Sequence, residues 1–214
     1  MDRDRVKADS EHSYRYYFEL LYAKIRQYDV EARYIYNMDE KGFLIGVTSR
    51  QKRVFLKQLW EQKRVTAGLQ DGSREWITVL ATVCADRSAI DPAVIFEAKG
   101  ELRSGWVHDV EEGKHQVFFT TSPSGWSNND IGLAWLKQVF QRCTERKARS
   151  SYRILIADGH SSHLSREFLD YCLAHKILLC ILLPYLTYSL QLLNVVLFSP
   201  LLTAYLLELL MHLY

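Results

Sequence analysis

The stretch WITVLATVCA (76–85) constrains this chain more than any other: it is free of charge and rich in β-branched residues. Such a run is a strand covered on both faces, because neither face offers water anything to solvate. YRILIAD (152–158) and ILLCILL (177–183) have the same character. Between them lie segments of helical period. Residues 13–28 place Tyr14, Tyr17, Phe18, Leu21, Ile25 and Tyr28 on one face. The loop SPSGWSNND (122–130) ends in Ser127-x-x-Asp130, a helix-start signal, and the helix then runs through Trp135, Leu136, Val139 and Phe140. Ser165 can cap REFLDYCLAH, whose apolar face holds Phe168, Leu169 and Cys172. A last helix is expected from Val195 to about Leu213, with Pro200 in its first turns.

PAVIFEA (92–98) and QVFFTT (116–121) add shorter strands. YIYNMDEKGFLIG (34–46) reads as a strand with a polar interruption and a hairpin return at Gly42. The order β-β-β-(β)-α-β-α-β-α implies an α/β fold: a mixed sheet flanked by helices, antiparallel in its first half and partly parallel in its second.

Composition narrows the class. In 214 residues, 48% are hydrophobic and 24% charged, which excludes disorder, collagen and coiled coil. A net charge of +2 announces no nucleic-acid partner by itself. The four cysteines form no C-x-x-C pair, so zinc-knuckle and thioredoxin-like sites are not expected, and free, mostly buried thiols are. The residues from Ile177 to Phe198 carry no charge and are long enough to span a bilayer. Pro184 and the polar Thr187, Ser189, Gln191 and Asn194 instead favour a strand, a loop and a core helix, with no stable membrane association.

Polar residues at the ends of buried strands are where chemistry is expected, since a buried strand holds its last residue rigidly. Asp39 interrupts the first strand and Asp158 closes the strand 152–158. With Gly159 after it, Asp158 is either a turn-former or a metal ligand. His160 and His163 bracket two serines, with no further ligand at a closing spacing for zinc. Two basic clusters could follow a phosphate backbone or simply face solvent. One includes Arg50, Lys52, Arg53, Lys57, Lys63 and Arg64; the other runs from Arg142 to Arg153.

The strings YNMDEKGFLIG, SPSGWSNND and ILIADGHSSHLSREFLDYC, in this order, resemble the DDE superfamily endonuclease domain, and among its members the pogo/Tigger-like transposases of fungi. The resemblance covers residues 14 to 205. It implies a ribonuclease-H-like fold, in which three acids hold Mg²⁺ or Mn²⁺ to cut and join DNA in the nucleus. Carried over by motif, the first acid is Asp39 and the second Asp158, both metal ligands. The third catalytic position is occupied by Asn194. Lys41, Arg50, Lys52, Arg53, His160 and His163 are then the expected DNA contacts. The implied division is a helical lead-in over 1–33 and the endonuclease-like domain over 34–214, truncated at its C-terminal end and able to form an oligomer.

The third motif departs from the family pattern. Leu183-Pro184-Tyr185 stands where the family has Pro-Pro-His, Tyr188 replaces its second His, and Leu192 its Pro. An amide is a far weaker magnesium ligand than a carboxylate. Catalysis therefore requires Asn194 to serve, or help from Glu40 or Glu208; otherwise the chain is a non-catalytic, DNA-binding remnant. Pro-to-Leu, His-to-Tyr and Asp-to-Asn changes can each arise from one C-to-T change on either DNA strand, so the hypothesis is a decayed transposon copy. A balanced spectrum of transitions and transversions against intact copies would exclude it.

Overall fold

The computed structural model describes residues 11–45, 75–102, 116–160, 164–182, 193 and 197–203. Helix α1 (Glu11–Gln27) is followed by a 3₁₀ turn and by strand β1 (Ile35–Ile45). β2 (Glu75–Cys84), β3 (Ala89–Glu97) and β4 (Phe118–Ser122) come next. A helix then runs as α2 (Asn129–Trp135), a π-helical stretch (Leu136–Gln141) and α3 (Arg142–Ala148). β5 (Arg153–Ala157), α4 (Arg166–Ala174) and β6 (Ile177–Ile181) complete the alternation.

The six strands lie in the order β4-β3-β2-β1-β5-β6. β1, β2 and β3 are mutually antiparallel, whereas β5 joins β1 in parallel and β6 joins β5 in parallel. That is the ribonuclease-H-like arrangement, extended at one edge by β4 parallel to β3. β1 is one continuous strand through Gly42, not the hairpin expected from sequence; every residue from Tyr36 to Ile45 pairs with β2. Gly42 serves a different purpose, described below.

Both faces are covered, as charge-free strands require. On one face Tyr36, Met38, Leu80, Ile95 and Leu155 meet Leu136, Phe140 and Phe168. On the other, Leu21 and Ile25 of α1 pack with Ile154, and Leu193 and Phe198 pack with Phe43 and Ala81. Phe140 and Phe168 are fully buried; each such side chain contributes about 1.5–3 kcal/mol. Leu169, expected on the apolar face of α4, is 39% exposed, because only Phe168 and Cys172 of that helix are buried. The cysteines are free; Cys84 and Cys172 are buried and Cys143 and Cys180 half-buried. Burial pushes the Cys172 thiol up to about 12, so it packs as a neutral apolar group. Among the described residues no helix is long and apolar enough to cross a membrane.

The helix starts are local. Ser165 Oγ accepts from the Phe168 N–H, as its position predicts. At α2 the cap is Asn128, whose Oδ1 accepts from the Ile131 N–H at 2.9 Å, and not Ser127.

At one end of the sheet the C-terminal ends of α1, α3 and α4 come together with the β2–β3 turn. Lys147 Nζ lies 2.6 Å from Asp86 Oδ2, and Lys176 Nζ donates to the Ser150 carbonyl at 3.0 Å. Four non-glycine residues here have positive φ: Asp29 (φ 48°), Arg87 (φ 74°), Arg149 (φ 55°) and Lys176 (φ 56°). The conformation costs roughly 1–2 kcal/mol for an L-residue. A cation at a helix C-terminus regains about 0.3–1 kcal/mol, which applies after α3 and α4 but not at Arg87, which follows a strand.

Asp86 also accepts from the Ser88 N–H and hydroxyl, and with Lys147 these hold its carboxyl well below the usual aspartate range. A lowered folded value contributes stability above the unfolded pKa of about 3.9 and loses it as the pH falls toward the folded value. Asp86→Asn is therefore expected to lower the thermal midpoint at pH 7. The gap to the parent should close progressively below about pH 4. Thermal melts across pH test this, and a gap independent of pH would exclude it.

Candidate functional site

β1 and β5 run parallel with Ile35 beside Ile154, Tyr36 beside Leu155 and Asn37 beside Ile156. The last pair is Asn37 and Ile156; continued two residues further along each strand direction, that register would set Asp39 opposite Asp158. Parallel neighbours in register share a face, so both acids belong to the face that carries α1 and the cluster of Leu193 and Phe198. Asp39 is 5% exposed, in mid-strand, paired on its other side with Ala81. Beyond Ala81 the β2–β3 register shifts between Leu80 and Thr82, so Asp91 and Pro92 form a bulge. Proline is tolerated there because its position has no ladder hydrogen bond to make.

Asp158 is the first residue past β5. Its Oδ1 accepts from the His160 N–H at 3.2 Å, so the turn expected of Asp-Gly is present. Gly159 is not what permits it: its φ is not positive, and a Cβ there would meet only Ile181 Cγ2, at an ordinary 3.5 Å. His160 is exposed and held beside Asp158 by this turn. Lys41 lies two residues beyond Asp39 on the same strand face and is half-buried. Leu193 is buried in a cluster that includes Ala81, the strand partner of Asp39. Asn194, Arg50, Lys52, Arg53, His163 and Glu208 lie outside the described residues. Among the described residues no three His, Cys, Asp or Glu side chains are grouped to hold a metal. What the structure offers a divalent cation is one mid-strand and one strand-end carboxylate, hard oxygen donors of the right chemistry but one fewer than three.

Glu40 does not join that pair. The pleat turns it to the opposite face, where its Oε1 accepts from Ser127 Oγ at 2.6 Å. Ser127 is 7% exposed, and its use here explains why the neighbouring Asn128 is the helix cap. Around this bond the two motifs interlock. Trp76 and Trp126 lie with ring centroids 4.9 Å apart, and Ser122 Oγ donates to the Trp126 carbonyl at 2.7 Å. A Cβ on Gly42 would stand 2.1 Å from Trp76 Cζ2 and 2.8 Å from Trp126 Cη2. A Cβ on Gly125, which has φ +72°, would stand 2.4 Å from Trp76 Cδ1. The Trp76 indole thus rests on two glycines, one from N-M-D-E-K-G and one from S-P-S-G-W. Trp76 and Gly125 are the residues that reasoning from sequence did not assign, and Glu40 and Gly42 have other uses than the metal help and the hairpin return expected of them. The signal available was Gly42 itself, since a glycine inside a strand marks a close approach as readily as a turn.

Comparison with known proteins gives three findings. The family described as DDE superfamily endonuclease matches residues 73–213, a span that includes Asp158 and Asn194 and begins after Asp39. The protein named MFS-type transporter clz9 of Cochliobolus lunatus is 31% identical over 179 residues, which is 84% of this chain and 19% of that protein. The chain thus spans about a fifth of that relative. Two solved structures of the Mos1 transposase are 13% identical, with a TM-score of 0.48, covering 86% of this chain and 44% of theirs. They are a paired-end complex with the left transposon end and a mariner paired-end complex with Mn.

Proposed function

The chain belongs to the DDE superfamily endonuclease family, and on that premise we propose that it is a transposase-derived core for metal-dependent DNA strand cleavage and transfer, impaired at its third acid. The observation that supports this is the β1–β5 register, which, continued past Asn37 and Ile156, would put Asp39 and Asp158 on one sheet face from opposite halves of the chain. Asp39 and Asp158 would hold Mg²⁺ or Mn²⁺. The chemistry supplied by such an ion is activation of water or a 3′-hydroxyl for in-line displacement at phosphorus. Lys41 and His160 flank the acids and are suited to phosphate oxygens; Arg50, Lys52, Arg53 and His163 are proposed to extend that contact. The buried Leu193 beside Ala81 supports placing the third position, Asn194, at the same centre. An amide supplies neither the charge nor the affinity of a carboxylate there.

We further read the chain as pogo/Tigger-like, nuclear, with a lead-in over 1–33 and the endonuclease-like domain over 34–214. The transporter name of the Cochliobolus lunatus relative is not carried over, because the match covers only 19% of it.

The test is Mn²⁺ binding followed by electron paramagnetic resonance, beside cleavage of terminal-repeat DNA from intact relatives. The expected result is one weakly bound ion, lost in Asp39→Asn and in Asp158→Asn, with no detectable cleavage. Unchanged Mn²⁺ binding in both variants would refute the site. Robust Mg²⁺-dependent cleavage abolished by Asp158→Ala would refute the impairment.

A further inference from the structure

The end of the sheet remote from Asp39 and Asp158 has its own character. It gathers Arg87, Arg146, Arg149 and Lys176, all exposed, on three separate connections: the β2–β3 turn, the end of α3 and the turn before β6. The Lys147–Asp86 and Lys176–Ser150 contacts tie these connections to one another. Arg87, Arg149 and Lys176 have positive φ, where glycine is the unstrained choice. Helix-end electrostatics accounts for part of this after α3 and α4 and for none of it at Arg87. Lys176 has a further local use, over the Tyr152 ring. Asp29, after α1, has positive φ at this end as well, so the conformation is not peculiar to cations; what the three cationic positions share is exposure on one surface at a backbone cost, which points to a use outside the fold's own stability.

The spacing indicates the partner. From the end of β2 across β1 and β5 to the start of β6 is three strand spacings, about 14 Å. Duplex DNA carries one charge per roughly 1.7 Å of its axis, so a row of cations this long meets several phosphates, whereas a single small anion would need them converged. Asp39 lies four residues into β1, roughly 13 Å from this end, too far for one phosphate to touch both.

We propose that Arg87, Arg149 and Lys176, with Arg146, form a second DNA-backbone contact face at the pole opposite the acids. It rests on the reading of the partner as DNA and not on the metal site. A chain with phosphate contacts at both poles can hold two segments of duplex, or one that bends around it.

The experiment is fluorescence anisotropy of the full chain on a labelled duplex over a range of salt. The parent is compared with the triple variant Arg87→Gly, Arg149→Gly, Lys176→Gly. The expected result is weaker binding and a salt slope shallower by about 2.7, three contacts at 0.9 each. The thermal midpoint should move little, because glycine relieves the backbone while Lys176→Gly gives up the contacts with Ser150 and Tyr152. The corresponding triple asparagine variant, which keeps a neutral polar side chain at each position, should lose the same slope. An unchanged affinity and slope in both variants would overturn the proposal. So would polyglutamate competing on equal terms with DNA, which would make the face a site for acidic protein. Mn²⁺ binding by Asp39 and Asp158 is read separately, so failure there leaves this result standing, and the converse.

Discussion

Gly42→Ala is expected to lower the thermal midpoint by roughly 6–12 °C, the shift that about 3 kcal/mol produces in a chain of this size. The added methyl would stand 2.1 Å from Trp76 Cζ2, a separation no packed structure sustains. The indole has nowhere easy to go. Its Nε1 donates to Thr78 Oγ1 at 3.3 Å, Trp126 lies against it, and Gly125 approaches its other edge. β1 has no more freedom, since it is paired to β2 along this whole stretch. Either the ladder or the Trp pair must shift, at the upper end of what overpacking costs. Trp76→Leu in the same chain should restore part of the loss, because the two positions are directly coupled. Thermal melts of the two single variants and the double variant test this. A Gly42→Ala protein that melts with the parent would show that the interlock is not rigid.

The second large effect concerns the metal. Asn194→Asp is expected to raise Mn²⁺ affinity at least tenfold, roughly the smaller end of what even an outer-shell change does to a metal site. A third carboxylate adds both a hard oxygen ligand and the charge that a neutral amide lacks. Cleavage is not expected to return with affinity, because Tyr185 and Tyr188 remain and catalytic ligand sets act as units. Titration of Mn²⁺ into the variant and the parent measures the first point, and the terminal-repeat cleavage assay the second. An affinity equal to the parent's would show that position 194 does not face the ion.

The parts of this architecture legible in the sequence are those set by burial and by local hydrogen bonds. WITVLATVCA could only be an interior strand, and Ser165 caps its helix as its position implies. The sequence of strands and helices already implied a mixed sheet flanked by helices, which the topology realises. The misreadings have a common cause in contacts distant along the chain. Gly42 looked like a hairpin because nothing near it in sequence reveals that Trp76 will lie on it. Ser127 looked like the cap because its hydroxyl's actual partner, Glu40, belongs to another strand. Leu169 looked buried because helical period gives a face but not its width. The alignment of Asp39 with Asp158 is likewise a matter of register between strands from different halves of the chain. Periodicity cannot supply it; it was the order of the motifs that suggested it.

The β1–β5 pairing also has a consequence in time. More than half of the chain separates Asp39 from Asp158. At about 5–20 residues per second, the ribosome delivers the second acid roughly 6–24 s after the first. The antiparallel β1–β2–β3 meander can zip as soon as it emerges, because its partners are closer in sequence and the loops it closes are shorter. During that interval β1 has β2 on one side and an open edge on the other, of the kind that recruits foreign strands. The nascent chain is therefore most prone to aggregation at the strand that will later carry the first acid, and β5 both closes that edge and completes the acid pair.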